Sequence, residues 1–217
     1  NQLGIQNRIL KIEDIPDNYR KMIGLHPPSP LEILQELEEF EGLDQIQAYL
    51  EQLSSRLIVE NQRKKVNPNY TGKTPKLNFV FLGNPGTGKT SVARLLGKIL
   101  HSAGVIKTSR VVEVSRGDLV AGYIGQSALK TQEVIEKALD GILFIDEAYS
   151  LNSTSGMDYS GEVISTLIKA IDQYSNRLII ILAGYPDEMK KFIHSNPGLN
   201  SRFPNQISFP DFDTAGL

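Results

Sequence analysis

Short, almost continuously apolar runs alternate along this chain with longer stretches in which apolar residues recur every three or four positions. The apolar runs predict buried strands at residues 77–82, 110–115, 141–146, 177–183 and 206–210. The stretches between them predict helices, among them residues 91–100, 127–140 and 160–174. Because strands that are apolar on both faces are typical of a parallel sheet covered by helices on each side, the pattern predicts a three-layer α/β fold.

The amino-terminal part of the chain has a different pattern. Residues 1–30 are polar and end in a proline-rich stretch, which predicts a linker or the tail of a preceding module. Within 31–76, leucines at helical spacing predict two helices that pack against the main domain, followed by a solvated connection. Residues 77–217 then form the predicted core domain.

One glycine-rich segment points to nucleotide chemistry. Residues 83–90 fit G-x-x-x-x-G-K-[ST], the phosphate-binding loop of P-loop NTPases, and they lie between a predicted strand and a predicted helix as that loop requires. Glycines let backbone N–H groups surround phosphate oxygens, Lys89 can neutralise the β- and γ-phosphates, and the Thr90 hydroxyl can bind Mg²⁺. The predicted nucleotide-binding residues are Asn84, Pro85, Gly86, Thr87, Gly88, Lys89, Thr90 and Ser91.

A pair of carboxylates follows the predicted strand at 141–146. This arrangement has the form of a Walker B motif, in which Asp146 holds Mg²⁺ and Glu147 polarises the water that attacks the γ-phosphate. The alternative is that the two acidic residues only cap the next helical segment. A phosphate loop in the same chain favours the catalytic interpretation.

Composition restricts the partners and the location that we expect for the protein. The 23 basic and 25 acidic residues give a net charge of -2 and a pI near 6.0, so nucleic acid is not an expected partner. The chain has no cysteine, which fits a reducing compartment, and we expect a cytoplasmic protein. No apolar run approaches the ~20 residues needed to span a bilayer, and no signal peptide opens the chain. It begins at Asn1, which indicates a processed product or a piece of something longer.

The chain resembles the CbxX/CfxQ family of AAA+ ATPases over about residues 31 to 210. The resemblance is carried by FLGNPGTGKT at 81–90, EVSRGDLVAGYIGQ at 113–126, LFIDEAYSL at 143–151, AGYPDEM at 183–189 and NPGLNSRF at 196–203. That family includes red-type Rubisco activases, sporulation proteins and ATPases of mycobacterial-type secretion systems. Membership implies ATP and Mg²⁺ as cofactors, a hexameric ring for the complete protein, and a protein substrate that is remodelled or threaded.

The resemblance also implies roles for individual residues. Tyr123 and Ile124 correspond to a pore loop that grips peptide, whereas an ordinary loop tyrosine would be tucked against the core. Arg202 corresponds to an arginine finger that reaches a neighbouring subunit's γ-phosphate, the alternative being a surface salt bridge. Gly42 and Leu43 correspond to the segment whose backbone meets adenine, although they could equally form a plain interhelical turn.

Two departures from the family pattern stand out. The fourth strand ends in Ala183-Gly184-Tyr185, where many AAA+ proteins carry a polar sensor residue, so other groups must position the water. The chain also stops where the family continues into a helical lid, so we expect the lid to be missing.

Two other functions remain open. A nucleotide-controlled assembly scaffold would hydrolyse ATP slowly and thread nothing. A small-molecule kinase would transfer phosphate, but Glu147 beside Asp146 suits activation of water better.

Overall fold

A computed structural model describes residues 19, 30–35, 43–67, 75–123, 125–152 and 160–211. In chain order, the elements are α1 (Pro30–Leu34), α2 (Asp44–Val66), β1 (Phe79–Leu82), α3 (Lys89–Ser102), β2 (Val111–Val114), α4 (Arg116–Leu119), α5 (Gln126–Ala138), β3 (Gly141–Ile145), α6 (Ser160–Gln173), β4 (Leu178–Gly184), α7 (Pro186–Ser195), α8 (Pro197–Asn200) and β5 (Asn205–Ser208). A single 3-10 turn, Ala148–Leu151, follows β3. The predicted alternation of strands and helices is confirmed.

The five strands form one parallel sheet in the order β2-β3-β4-β1-β5. Strand β1 lies between β4 and β5, and Leu82 at its end is in register with Gly184 and Ser208. From β1 the chain crosses to β2 at the far side of the sheet. Because ligands of open parallel sheets bind beyond the carboxyl ends of the strands, at the point where the connections diverge, the end of β1 is the expected binding edge.

Alternate residues of the central strands enter two different hydrophobic cores. In β1, Phe79 and Phe81 join a core formed with α1, α2 and α3, whereas Val80 and Leu82 join a second core formed with α5, α6 and α7. The apolar residues of β3 and β4 divide between the two cores in the same alternating way. The sheet is therefore covered on both faces, and the predicted three-layer α/β P-loop fold is confirmed.

Several predicted bounds differ from the structure: β5, for example, covers Asn205–Ser208 rather than residues 206–210. Strand β1 begins at Phe79 rather than residue 77, because the buried Asn78 uses its side chain in place of ladder pairing. Its Oδ1 accepts from the Ile180 N–H (2.9 Å) and its Nδ2 donates to the Arg202 carbonyl (3.3 Å). Between the predicted strand at 110–115 and the predicted helix at 127–140, the chain also forms the short helix α4, which the sequence pattern did not predict. There the Asp118 carboxylate accepts from both the backbone N–H (2.8 Å) and the hydroxyl (2.9 Å) of Ser115, which stabilises the helix start.

Candidate active site

The predicted phosphate loop connects β1 to α3 at the expected edge of the sheet. Gly86 and Gly88 have φ angles of +78° and +83°, which side-chain-bearing residues rarely adopt. Gly88 caps α3, a helix of 14 residues whose first N–H groups and dipole therefore face the loop. This strand, glycine loop and helix N-terminus together form a cradle suited to phosphate.

Lys89 lies inside this cradle. Its side chain is buried, and its Nζ donates hydrogen bonds to the carbonyl oxygens of Gly83 (2.9 Å) and Asn84 (2.6 Å). Burial lowers the pKa of the Lys89 ammonium below its usual value, while the charges of Asp146 and Glu147 act in the opposite direction. The lysine is thus held in the loop by polar contacts and lies within electrostatic range of both carboxylates.

The two carboxylates follow β3 at the same sheet edge. Asp146 is anchored by its backbone N–H, which donates to the Val114 carbonyl at the end of β2 (2.9 Å). Its side-chain Oδ1 accepts from the backbone N–H of Glu147 (3.0 Å). Glu147 has a φ of +48°, a left-handed conformation uncommon for a side chain of this kind, and both carboxylates are exposed. The alternative, that these residues only cap a helix, is not supported, because Glu147 makes no side-chain capping bond to the 3-10 turn.

The loop is fixed to its neighbours on both sides of β1. The Gly83 N–H donates to the Gly184 carbonyl (3.1 Å), and the buried Thr87 hydroxyl donates to the Asn84 carbonyl (2.8 Å). The side-chain Nδ2 of Asn84 donates to Asp211 Oδ1 (2.7 Å), just beyond β5. The remaining predicted nucleotide-binding residues lie on the rim of the cradle: Pro85 and Ser91 are exposed and Thr90 is partly buried.

Two tyrosines lie near the carboxylates, at the end of the fourth strand where the polar sensor residue is absent as predicted from the sequence. Gly184 ends β4, and a Cβ placed on it would lie 2.7 Å from Cδ1 of the Tyr149 ring. Tyr149 packs on Tyr185 with 5.8 Å between ring centres. Desolvation raises the pKa of the Tyr149 hydroxyl, and the negative charge of Glu147 adds to this effect. The glycine is therefore required by the close approach of an aromatic ring.

Tyr123 lies in the turn before α5, and its side chain is 72% exposed. A tyrosine tucked against the core would be buried, so that alternative is wrong. Ile124 and Gly42 lie outside the described residues, so their roles stay predictions. Leu43 precedes α2, and its side chain is buried in the core that α1, α2 and α3 share.

Arg202 does not lie near the phosphate loop of its own chain. Its main-chain carbonyl accepts from Asn78 just before β1, whereas the loop starts just after β1. A strand rise of about 3.3 Å per residue places Asn78 roughly 16 Å from the start of the loop. At this opposite edge the guanidinium makes a double hydrogen bond to Asp172, with Nε–Oδ1 at 2.9 Å and Nη2–Oδ2 at 2.6 Å. Both residues line a cavity of about 840 Å³. Arg202 therefore forms the kind of salt bridge that the sequence offered as the alternative to an arginine finger.

Several contacts were not foreseen from the sequence. Asp172 and Glu162 lie on α6 and approach Arg202 and Gly125 from 30 and 37 positions away. Neither residue lies in a recognisable motif, and only a pattern of acidic residues on one predicted helix could have drawn attention to them. Tyr149 and Tyr185 lie within the segments that carry the family resemblance but had no predicted role. Their proximity depends on the pairing of β3 with β4.

Comparisons with known proteins agree with this geometry. Residues 79–211 match the model of the ATPase family associated with various cellular activities (AAA). The chain is similar to protein CfxQ of Xanthobacter flavus (42% identical, covering 86% of this chain and 59% of that protein) and to stage V sporulation protein K of Bacillus subtilis (42%, 86% and 57%). It is also similar to the chloroplastic ribulose bisphosphate carboxylase/oxygenase activase of Cyanidioschyzon merolae (41%, 84% and 59%).

The chain thus spans about three fifths of the length of these curated relatives. Among the helices that the structure describes, none is both long enough and apolar enough to cross a membrane.

Proposed function

Since the chain belongs to the AAA family of ATPases, we propose that it binds Mg·ATP at the edge formed by the phosphate loop and the end of β3, and hydrolyses it. The observation that carries this proposal is that Lys89 after β1 and the pair Asp146 and Glu147 after β3 lie at the same edge of one parallel sheet. Both carboxylates act on the pKa of the Lys89 ammonium. A cation within a phosphate cradle and carboxylates beside it are the groups that nucleotide hydrolysis requires.

The donor set fits this nucleotide. Mg²⁺ is usually held in such sites by one or two protein groups together with phosphate oxygens and waters, and Thr90 with Asp146 would supply those protein groups. Bound Mg²⁺ would neutralise charge on the phosphates. The loop from Asn84 to Ser91 would bind the phosphates, through the N–H groups of all its residues except Pro85, and Gly42 with Leu43 would meet the base.

Lys89 and Glu147 would then have different tasks. The Lys89 ammonium now donates to two loop carbonyls, and the same donors can turn to phosphate oxygens, which are stronger acceptors because they are charged. The Glu147 carboxylate, exposed and close to the loop, would accept a proton from the attacking water. With Gly184 at the end of β4, water positioning would rely on Glu147 and its neighbours.

Arg202 would act on a nucleotide held by a neighbouring subunit. Its main chain is bonded to Asn78, which lies roughly 16 Å along β1 from the start of the loop, and its guanidinium is paired with Asp172; both support action in trans rather than in cis. An arginine suits this task because its planar fork can span two phosphate oxygens. The complete protein would therefore be a homo-oligomeric ring, and we propose six subunits and a cytoplasmic location.

The ring would act on a protein substrate through the loop that carries Tyr123. An exposed aromatic ring gives a large contact area that does not depend on peptide sequence. Ile124 would extend this contact. The proposed function is thus ATP-driven remodelling or threading of a partner protein, in contrast to a scaffold that only assembles with nucleotide.

Substrate capture distinguishes these two functions. Glu147→Gln protein, loaded with Mg·ATP, should retain substrate proteins, and the double variant with Tyr123→Phe should retain them too. The double variant with Tyr123→Ala should release them while still binding nucleotide. If the Tyr123→Ala form assembles with ATP and retains the same proteins, Tyr123 does not grip substrate and the scaffold function is favoured.

A further inference from the structure

The loop that carries Tyr123 is tied at its end to a different helix. The backbone N–H of Gly125 donates to Oε1 of Glu162 (2.8 Å), and Glu162 lies in the first turn of α6. Gly125, with a φ of +79°, is the residue from which α5 begins. Glu162 therefore places a carboxylate at the amino end of α5, where the helix dipole favours negative charge.

The start of the loop is tied to α5 itself. The Ala121 N–H donates to the hydroxyl of Ser127, which is fully buried (2.9 Å). Lys130 adds hydrogen bonds to the carbonyls of Gly117 (2.6 Å) and Val120 (3.2 Å). Since the Tyr123 side chain is exposed, its position depends on these backbone anchors rather than on packing. The Glu162 contact is the one among these anchors that comes from outside α5 and the loop.

The Glu162 carboxylate has little else to bind. Its Oε2 is buried and has no hydrogen-bond partner among the described residues. A buried carboxylate oxygen without a donor is unfavourable. The hydrogen bond from Gly125 to the other oxygen, Oε1, is the contact that offsets this cost. Loss of the carboxylate would leave the Gly125 N–H without its acceptor and release the end of the loop.

Helix α6 also packs beside the candidate active site. It is the next helix after Asp146 and Glu147, and its core residues share a hydrophobic core with those of the 3-10 turn that follows these carboxylates. Val163 and Leu167 of α6 and Ala148 and Leu151 of the turn are members of that core, and α6 contacts the turn directly. A shift of that turn would therefore displace α6 and, through Glu162, the end of the Tyr123 loop. Packed elements of this kind carry coupling between sites when they have two arrangements.

We propose that Glu162 is a positioning residue, which holds the Tyr123 loop and couples it through α6 to the nucleotide edge. This inference rests on the proposed function in assigning substrate contact to Tyr123 and in placing nucleotide at the edge beyond β1. The holding role and the coupling role can each be measured without a known substrate.

The chain has no tryptophan, so Tyr123→Trp creates a single fluorescent reporter on the loop. In that background we would compare Glu162→Ala with Glu162→Gln, which keeps an oxygen acceptor, and with Glu162→Asp, which keeps the charge but is one methylene too short. Glu133→Ala removes an exposed carboxylate from α5 and serves as the matched control. Time-resolved anisotropy is recorded with and without Mg²⁺ and a non-hydrolysable ATP analogue, and titration of a fluorescent nucleotide measures binding in the same samples.

The amplitude of local motion of the tryptophan reporter should rise about twofold in Glu162→Ala and Glu162→Asp, because the Gly125 N–H loses its acceptor. Glu162→Gln and Glu133→Ala should match the parent. Nucleotide should change the anisotropy of the parent and leave that of Glu162→Ala unchanged, although both bind it. Equal anisotropy in Glu162→Ala and the parent, in both conditions, would overturn the proposal. Failure of the parent to bind nucleotide would instead count against the proposed ATPase, and the nucleotide-free comparison would still test the holding role.

Proteolysis tests the holding role in the unlabelled chain. Chymotrypsin cleaves after tyrosine, and the rate of cleavage after Tyr123 follows the population of the open loop. Glu162→Ala should speed this cleavage roughly tenfold, with less than about a threefold change for Glu162→Gln, because the replacement amide keeps the acceptor. Unchanged cleavage in Glu162→Ala, or an equal increase in Glu133→Ala, would show that Glu162 does not hold the loop.

Discussion

Arg202 and Asp172 form a bidentate ion pair at the edge of the sheet opposite to Lys89. The guanidinium lowers the pKa of the Asp172 carboxyl below its ordinary range, chiefly through the hydrogen bonds and further through its charge. A third contact, from Nη1 to the Gly198 carbonyl (3.1 Å), fixes the plane of the guanidinium. The arginine is thus oriented, on a partly exposed side chain, where a neighbouring subunit could meet it.

We predict that Arg202→Ala lowers ATP turnover about a thousandfold or more while leaving nucleotide affinity close to that of the parent, as expected for an arginine that acts on the transition state. Arg177→Ala is the matched control, since Arg177 makes a similar double contact to Asp140. Mixing Arg202→Ala subunits with Glu147→Gln subunits should restore activity, because some interfaces then hold every catalytic group. Mixed rings that form but stay inactive would contradict action in trans.

Lys89→Ala should weaken ATP binding about tenfold or more, because it removes the cation that faces the phosphates from within the loop. Titration with a fluorescent ATP analogue measures the affinity. Lys98→Ala, at an exposed lysine farther along α3, should leave it unchanged. Equal affinities for Lys89→Ala and the parent would remove Lys89 from the proposed site.

Gly184→Ala should destabilise the fold by ~1–3 kcal/mol, because the new methyl group would lie 2.7 Å from the Tyr149 ring and 3.0 Å from Met189 Cγ. Gly161→Ala on helix α6 is the control. A Cβ added there meets no atom of the described residues within 4 Å, and it should stabilise by up to about 1 kcal/mol through helix propensity. Urea unfolding gives both values. If the two variants have the same stability, the ring is not packed against Gly184.

Asp140 provides a pH-dependent contribution to stability. The Arg177 hydrogen bonds, aided by charge, lower the pKa of its carboxyl in the folded chain, so this stabilisation is complete above the ordinary carboxyl range near ~3.9 and is lost as pH falls through the lower folded pKa. Asparagine tolerates the left-handed φ of +65° at this position. Asp140→Asn should therefore be less stable than the parent near neutral pH, with the difference shrinking as the solution is made strongly acidic. Urea unfolding at neutral and at strongly acidic pH measures this difference in stability. The same difference at both pH values would be evidence against the ion pair.

The elements near the site were predictable because local rules determine them. An apolar strand, a glycine loop and a following helix occupy consecutive positions, so the pattern around residues 83–90 predicted both the loop and its place on the sheet. The carboxylates after β3 could be placed at the same edge because all strands of a parallel sheet end there. These inferences required no knowledge of long-range contacts.

What the sequence could not predict depends on side chains that meet across the fold. Asn78 shortens β1 by bonding to Ile180 and to the Arg202 carbonyl, more than 100 positions away. The side-chain bonds that start α4 are local, but a helix of four residues is too short to show an apolar period. The contacts of Glu162 with Gly125 and of Tyr149 with Gly184 arise from helix and strand packing, which periodicity does not specify.

The proposed ATPase site is tested most directly by Glu147→Gln. Nucleotide affinity and single-turnover phosphate release are measured on the parent and the variant in the presence of Mg²⁺. The variant should bind ATP as tightly as the parent and release phosphate at least roughly a hundredfold more slowly, since a general base contributes ~10²–10⁴ in rate. Phosphate release at the parent's rate, or a loss of ATP affinity as large as that of Lys89→Ala, would contradict the assignment of Glu147 as the group that activates water.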